Sequence, residues 1–388
     1  MLTNEEIVYV GNDWFADNRT SSHQIARLLA ERNRMLYVEA AGQRAPTASR
    51  RDLAKIGRKV AKAWANPVAV DAGMHLFSPL IIPYHGLPLA GRLNRALLAS
   101  SLRRACRRVG FSNPILWVIL PHYASLADTL PSKGVVYYVV DEYASMPGVD
   151  AARIRQMERL LLDRADVVFT ISEELTRAKG AVNPHTYLSP HGVDTTHFNR
   201  AYYEDLPRPS ELGQVPGPVV GFFGLIEDWL DLELVGYLAG RRPEYTFVMV
   251  GRVACDVAGL ARYPNVRFLG QRPYEEIPRY LRGFDVCHIP FKLNEVIVNS
   301  SPLKLKEYLA GGKPVVSVAI NEVKKYEDLA YVAETYEEYL ACIDRALAED
   351  SPAEAERRVR AMQGESWRAK IDTISQRVSA HIPGVRNE

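Results

Sequence analysis

Three groups of residues have the types and spacing to do chemistry. The first lies in Asn299–Ser317, NSSPLKLKEYLAGGKPVVS, where Ser300, Ser301 and Lys304 stand at the entry of a short helix and Glu307 follows three residues later. A lysine and hydroxyls at a helix entry suit a phosphate, because the first-turn N–H groups and the ammonium both favour an anion. Glu307, on the same side of the helix, suits a pair of hydroxyls; the structural alternative is an i,i+3 salt bridge on a solvated face. The second group is Asp141 and Glu142, directly after the apolar run Val135–Val140. Adjacent carboxylates at a strand end are costly to desolvate, so solvent or function surrounds them, and one can act as a general base. Asp141 is the stronger candidate because it comes first. The third is His122, after Ile115–Leu120, placed for a base or a sugar ligand.

Short apolar runs alternating with helical patterns predict an α/β fold with parallel sheets. In the first half these runs are Ile7–Val10, Met35–Val38, Val68–Phe77, Ile115–Leu120, Val135–Val140, Val167–Ile171 and Tyr187–Ser189. Loops at the carboxyl ends of such strands face the ligand crevice. Asp13, Asn18, Arg19, Thr20 and His23, after the first strand, are therefore candidates to touch an acceptor, with helix capping as the alternative. In the second half, Val219–Phe223 ends at Gly224, where the missing Cβ lets backbone amides approach a diphosphate. The following Glu227, Asp228 and Asp231 are the wrong charge for that task, which throws weight onto Lys304 and Arg252. A continuous C-terminal helix is expected over Glu354–Val378.

EYLAGGKPVV resembles the signature of GT-B glycosyltransferases, especially glycosyltransferase family 4 and relatives that build bacterial surface polysaccharides. PHGVDTTHF resembles that family's asparagine-glycine-valine-aspartate turn, with His191 in place of asparagine. The resemblance implies two Rossmann-like domains facing a cleft: residues 1–198 for the acceptor, a linker at 199–218, 219–365 for the donor, and 366–388 as a helix returning to the first domain. It implies that Glu307 holds the donor ribose, that Lys304, Ser300 and Ser301 face the diphosphate, and that the turn with Arg272 and Tyr274 lies beside the base. Retaining members carry a second glutamate where this chain has Asn299, with Glu295 four residues earlier. Asp141 resembles the base proposed in the glucuronosyltransferase of xanthan assembly. The implied activity is transfer from a UDP- or GDP-sugar to a lipid-linked or other saccharide acceptor, without metal or cofactor. Inversion is favoured over retention through Glu295. A catalytically inactive scaffold and a nucleotide-sugar epimerase are the competing expectations, and the first strand lacks the glycine fingerprint of an NAD enzyme.

A chain of 388 residues exceeds one core, and 47% hydrophobic with 24% charged residues is ordinary for a soluble protein. With no run of eighteen apolar residues and a start that enters a strand instead of a signal peptide, a cytoplasmic location is expected. The four cysteines match neither a zinc pattern nor a disulfide framework. The net charge of +2 hides two basic runs, 44–62 and 92–108. Solvated helix faces would account for them; the alternative is peripheral contact with the anionic inner face of the plasma membrane. No nucleic-acid motif accompanies them.

Overall fold

The computed structural model describes residues 1–15, 20–39, 66–71, 73–79, 88–145, 148–213, 215–298 and 300–387. The basic run 44–62, most of the loop before Pro88, Arg19 and Asn299 lie outside them, as do the side chains of Arg92 and Glu295. The chain divides into two compact units, Met1–Pro190 with Lys370–Glu388, and His191–Ala369.

The first unit is built on strands β1 (Glu6–Gly11), β2 (Arg34–Glu39), β3 (Val68–Asp71), β4 (Met74–Phe77), β5 (Ile115–Val118), β6 (Gly134–Val139), β7 (Val167–Thr170) and β8 (Thr186–Leu188). They form one sheet in the order β3-β4-β2-β1-β5-β6-β7-β8. Strands β1, β5, β6 and β7 are almost wholly buried, which is why they appear in the sequence as continuous apolar runs. All pairs are parallel except β3 with β4. The single strand expected over Val68–Phe77 is instead this hairpin, because Gly73, at φ 77°, reverses the chain. Strand order changes direction between β1 and β5, so the loops after them flank the natural binding crevice of this sheet.

The continuous C-terminal helix is also corrected. Helices Pro352–Ala361 and Trp367–His381 are separated by a turn at Gln363–Glu365, where Gly364 weakens helical propensity and Ser366 Oγ accepts the Ala369 N–H at 3.2 Å to start the second helix. From Lys370 onward this helix belongs to the first unit. There the Leu2 N–H donates to Ser375 Oγ at 3.1 Å, and Tyr187 Oη lies 2.7 Å from His381 Nε2.

The second unit carries β9 (Val219–Phe223), β10 (Thr246–Val250), β11 (Val266–Gly270), β12 (Val286–Ile289), β13 (Val315–Val318) and β14 (Tyr331–Ala333), in the order β11-β10-β9-β12-β13-β14. Every pair is parallel, and the switch point falls between β9 and β12. Strand β14 is too short and too half-buried to announce itself in the sequence. Residues 191–213 pack with this unit: Val193, Phe198, Ala201 and Leu212 are part of its apolar core. Each unit is thus a Rossmann-like α/β layer structure, the pair of which defines the GT-B fold. Among the described residues no helix is long and apolar enough to cross a membrane.

Candidate active site

In the second unit the site grows from the end of β9. Phe223 donates its N–H to Tyr308 Oη at 3.2 Å, tying the strand end to the helix Leu303–Ala310. Gly224 follows at φ 150°, and a Cβ there would sit 3.0 Å from Lys304 Cε. The lysine side chain therefore crosses the space that a larger residue would fill. Its Nζ lies 2.7 Å from Glu307 Oε2 and 4.6 Å above the Phe223 ring. Glu307 is 8% exposed and Lys304 reaches solvent only in part. No side chain caps the helix start at Pro302 among the described residues; Leu305 N–H turns back to Pro302 O at 3.2 Å, leaving the N–H groups of Leu303 and Lys304 for an anion. The Gly-Gly stop ends the helix: Gly312, at φ 75°, donates to Leu309 O at 2.9 Å.

Neighbouring candidates divide sharply. Ser300 Oγ donates to Ile297 O at 2.8 Å, shaping the approach to the helix. The backbone of Glu295 begins a helical turn, Glu295–Val298, in the loop after β12. Arg252 is exposed after β10 and makes no ion pair among the described residues. Arg272 is committed elsewhere: its Nε donates to Tyr280 Oη at 2.7 Å and its Nη2 to Glu211 at 2.9 Å. Its guanidinium is thereby held in a fixed orientation at the turn that also carries Tyr274. Asp231 is likewise consumed, accepting from Leu234 N–H at 2.9 Å as a helix cap and from Tyr336 Oη at 2.8 Å. One of the three acids that seemed to oppose a phosphate is therefore structural.

Tyr274 brings in a residue that spacing did not single out. His197 stacks on it with ring centroids 4.0 Å apart at 11°, while Phe198 meets its edge. His197 Nε2 is buried without a hydrogen-bond partner among the described residues, and burial lowers the histidine pKa against the pull of Asp194, the Tyr274 backbone and Glu307. Only the PHGVDTTHF turn hinted that this segment mattered, and it gave no reason to choose His197.

In the first unit, the loops after β1, β5 and β6 lie side by side at the carboxyl edge. Asp141, half-buried, accepts no hydrogen bond among the described residues, and desolvation pushes its carboxyl up to about 7. Glu142 behaves differently. It pairs with Lys179 Nζ at 2.8 Å; the same nitrogen pairs with buried Glu158 at 2.8 Å, which accepts from Tyr137 Oη at 3.0 Å. This network ties up Glu142 and leaves Asp141 as the carboxylate of the two without an ion pair among the described residues. Exposed His122 lies in the turn Pro121–Tyr123 after β5.

His23 serves the loop after β1. It is 3% exposed; its Nδ1 accepts the Thr20 N–H at 3.1 Å, so Nε2 carries the proton and donates to Asp13 O at 2.9 Å. His23 and Thr20 thereby position Asp13, whose exposed carboxylate accepts the Phe15 N–H at 3.0 Å. Among the described residues no three His, Cys, Asp or Glu side chains converge as a metal site requires.

The architecture is that of the GT-B glycosyltransferase fold. Residues 218–349 match the family model for glycosyl transferases group 1. The chain is 27% identical over 256 residues to the putative teichuronic acid biosynthesis glycosyltransferase TuaH of Bacillus subtilis, covering 61% of this chain and 64% of that relative, slightly under two thirds of its length. Similar solved structures include sucrose-phosphate synthase from Thermosynechococcus elongatus, with a TM-score of 0.69 and 15% identity over 96% of this chain and 98% of that one. Another is Anabaena HepE in complex with UDP and glucose, at 0.63 and 16% over 97% and 100%. These structures share the fold.

Proposed function

We propose that the protein is a glycosyltransferase of the family 4 type that moves a sugar from a UDP- or GDP-sugar to a lipid-linked or other saccharide acceptor during surface-polysaccharide assembly. The observation that carries this reading is the Lys304–Glu307 pair, laid against the Gly224 turn at the β9/β12 switch point. Lys304, Ser301 and the uncapped amides of the helix start supply the positive potential for a diphosphate, with Ser300 shaping the approach through its bond to Ile297 O. Glu307, released from the lysine by the incoming phosphates, accepts the ribose hydroxyls; Tyr274 on its His197 platform offers a flat surface for the base. The relative TuaH, named for teichuronic acid biosynthesis, supports a surface-polysaccharide role.

In the favoured inverting reaction Asp141 takes the proton of an acceptor hydroxyl. The hydroxyl oxygen attacks the anomeric carbon from the face opposite the diphosphate, and the C–O bond to that group breaks as the nucleoside diphosphate leaves with the electron pair. A carboxyl titrating at about 7 is suited to this task near neutral pH. A peripheral position on the cytoplasmic face of the membrane fits the exposed Arg95, Arg103, Arg104, Arg107 and Arg108 of the helix Pro88–Arg108.

Calorimetric titration with UDP and GDP tests the donor assignment. One nucleotide should bind the wild type, and Glu307→Ala should weaken it roughly 10- to 100-fold, the loss of charged hydrogen bonds to hydroxyls. Absence of binding by either nucleotide would overturn the reading in favour of an inactive scaffold.

A further inference from the structure

The helix that carries Lys304 and Glu307 also carries Lys306, and this lysine points the other way. It is 4% exposed, a position that an apolar residue would ordinarily occupy. Its Nζ donates to Glu365 Oε2 at 2.5 Å and to the His191 carbonyl at 2.6 Å. Both partners lie where the chain passes between its two units, since the second unit begins at His191 and ends at Ala369. The two passing segments are themselves zipped together: Val193 N–H donates to Glu365 O at 2.9 Å, and Trp367 N–H donates to Val193 O at 3.2 Å. Gly192 permits this closeness, because a Cβ there would stand 2.8 Å from the Trp367 backbone.

We propose that Lys306 is a positioning residue that joins the donor helix to both connecting segments, so that nucleotide held at Lys304 and Glu307 is felt at His191–Val193 and Glu365–Trp367. A buried ammonium is tolerated only while its partners stay in place, and separating them would leave an uncompensated buried charge. The eight-residue helix Leu303–Ala310 cannot shift without carrying Lys306, and Lys306 cannot leave Glu365 and His191. Donor capture exchanges the Lys304–Glu307 pair for contacts to the ligand two residues before and one residue after this anchor. The helix then settles in one position, and the segments bonded to it settle with it. The inference rests on the donor reading above and adds the direction in which occupancy travels.

Hydrogen–deuterium exchange of the full chain, with and without whichever of UDP and GDP binds, tests it. In the wild type the amides of 191–194 and 364–369 should exchange about tenfold more slowly with nucleotide, equivalent to ~1.4 kcal/mol. In Lys306→Met that nucleotide-dependent slowing should vanish while calorimetry still records binding. Glu365→Gln, which keeps a weaker acceptor and perturbs folding less, should show an intermediate slowing. A purely structural lysine would instead loosen the segments equally in free and bound states, leaving the slowing intact, and that result overturns the proposal. So does a wild type that binds nucleotide with no change at these segments. Failure of the wild type to bind UDP or GDP at all would strike the donor reading itself.

Discussion

Asp141→Asn should make the protein more stable and less active, with a pH dependence that identifies the cause. Desolvation moves the carboxyl from 3.8 to about 7. A raised carboxylate pKa means the folded state holds its proton more tightly than the unfolded chain. The stability linked to it is complete below pH 4, declines as pH rises, and is gone above about 7. The shift corresponds to roughly 4 kcal/mol when Asp141 is ionised in both states, reduced to about 3 kcal/mol by the solvent that reaches this half-exposed side chain. Asparagine keeps the shape and abolishes the titration. Urea unfolding of both proteins from pH 4 to 8 should give nearly equal stabilities at the acid end and a variant advantage growing to about 3 kcal/mol at pH 8. Transfer should fall by about 10²–10⁴ while nucleotide affinity stays within twofold of wild type. A stability difference independent of pH, or a variant less stable than wild type at pH 8, would refute the claim that desolvation tunes this carboxylate. Undiminished transfer would remove Asp141 as the base.

Two other buried groups push stability the opposite way. His191 and His288 are lowered to about 3 by burial, so they stay neutral in the fold while the unfolded chain takes up protons below 6.5. Each should remove about 2 kcal/mol at pH 5. His288 sits among Phe222, Phe247 and Tyr339 with both ring nitrogens unpartnered among the described residues, so His288→Leu should unfold at higher urea than wild type at pH 5 and lose its share of the acid sensitivity. An unchanged pH slope in that variant would contradict this account. The exposed arginines of Pro88–Arg108 should hold the protein on phosphatidylserine vesicles in a flotation assay, with binding lost as salt rises and absent on neutral vesicles. Binding insensitive to salt would count against an electrostatic contact.

How much of this was legible in the sequence follows from where each signal resides. Strands buried on both faces are continuous apolar runs, so β1, β5, β6, β7, β9 and β10 stand out, while β14 and the break at Gln363–Glu365 depend on short polar stretches that carry no period. The Lys304–Glu307 pair is visible because both residues lie within one helical turn. The partners of Arg272 are hidden because Glu211 lies 61 residues away, and no local pattern reveals that pairing. Asp141 and Glu142 look alike in sequence. Only the fold shows that Lys179 claims the second and leaves the first to a desolvated edge. His197 escapes notice for the same reason as Glu211: its stacking partner Tyr274 comes from a different turn of the chain.

The charged residues of Leu303–Ala310 show how one short helix can carry several assignments at once. Lys304 and Glu307 are three apart and share a side, where they neutralise each other. Lys306 falls on another side and is neutralised by Glu365. Leu305, Tyr308 and Leu309 fill the core below. Because each charge has a counter-charge of its own, the helix can be almost entirely buried and still present an ion pair at its open end. Replacing Lys306 with an apolar residue would leave the apolar packing and the ligand pair formally intact. The tie from this helix to His191 and Glu365 joins residues 115 and 59 positions apart, which sequence periodicity is unable to disclose.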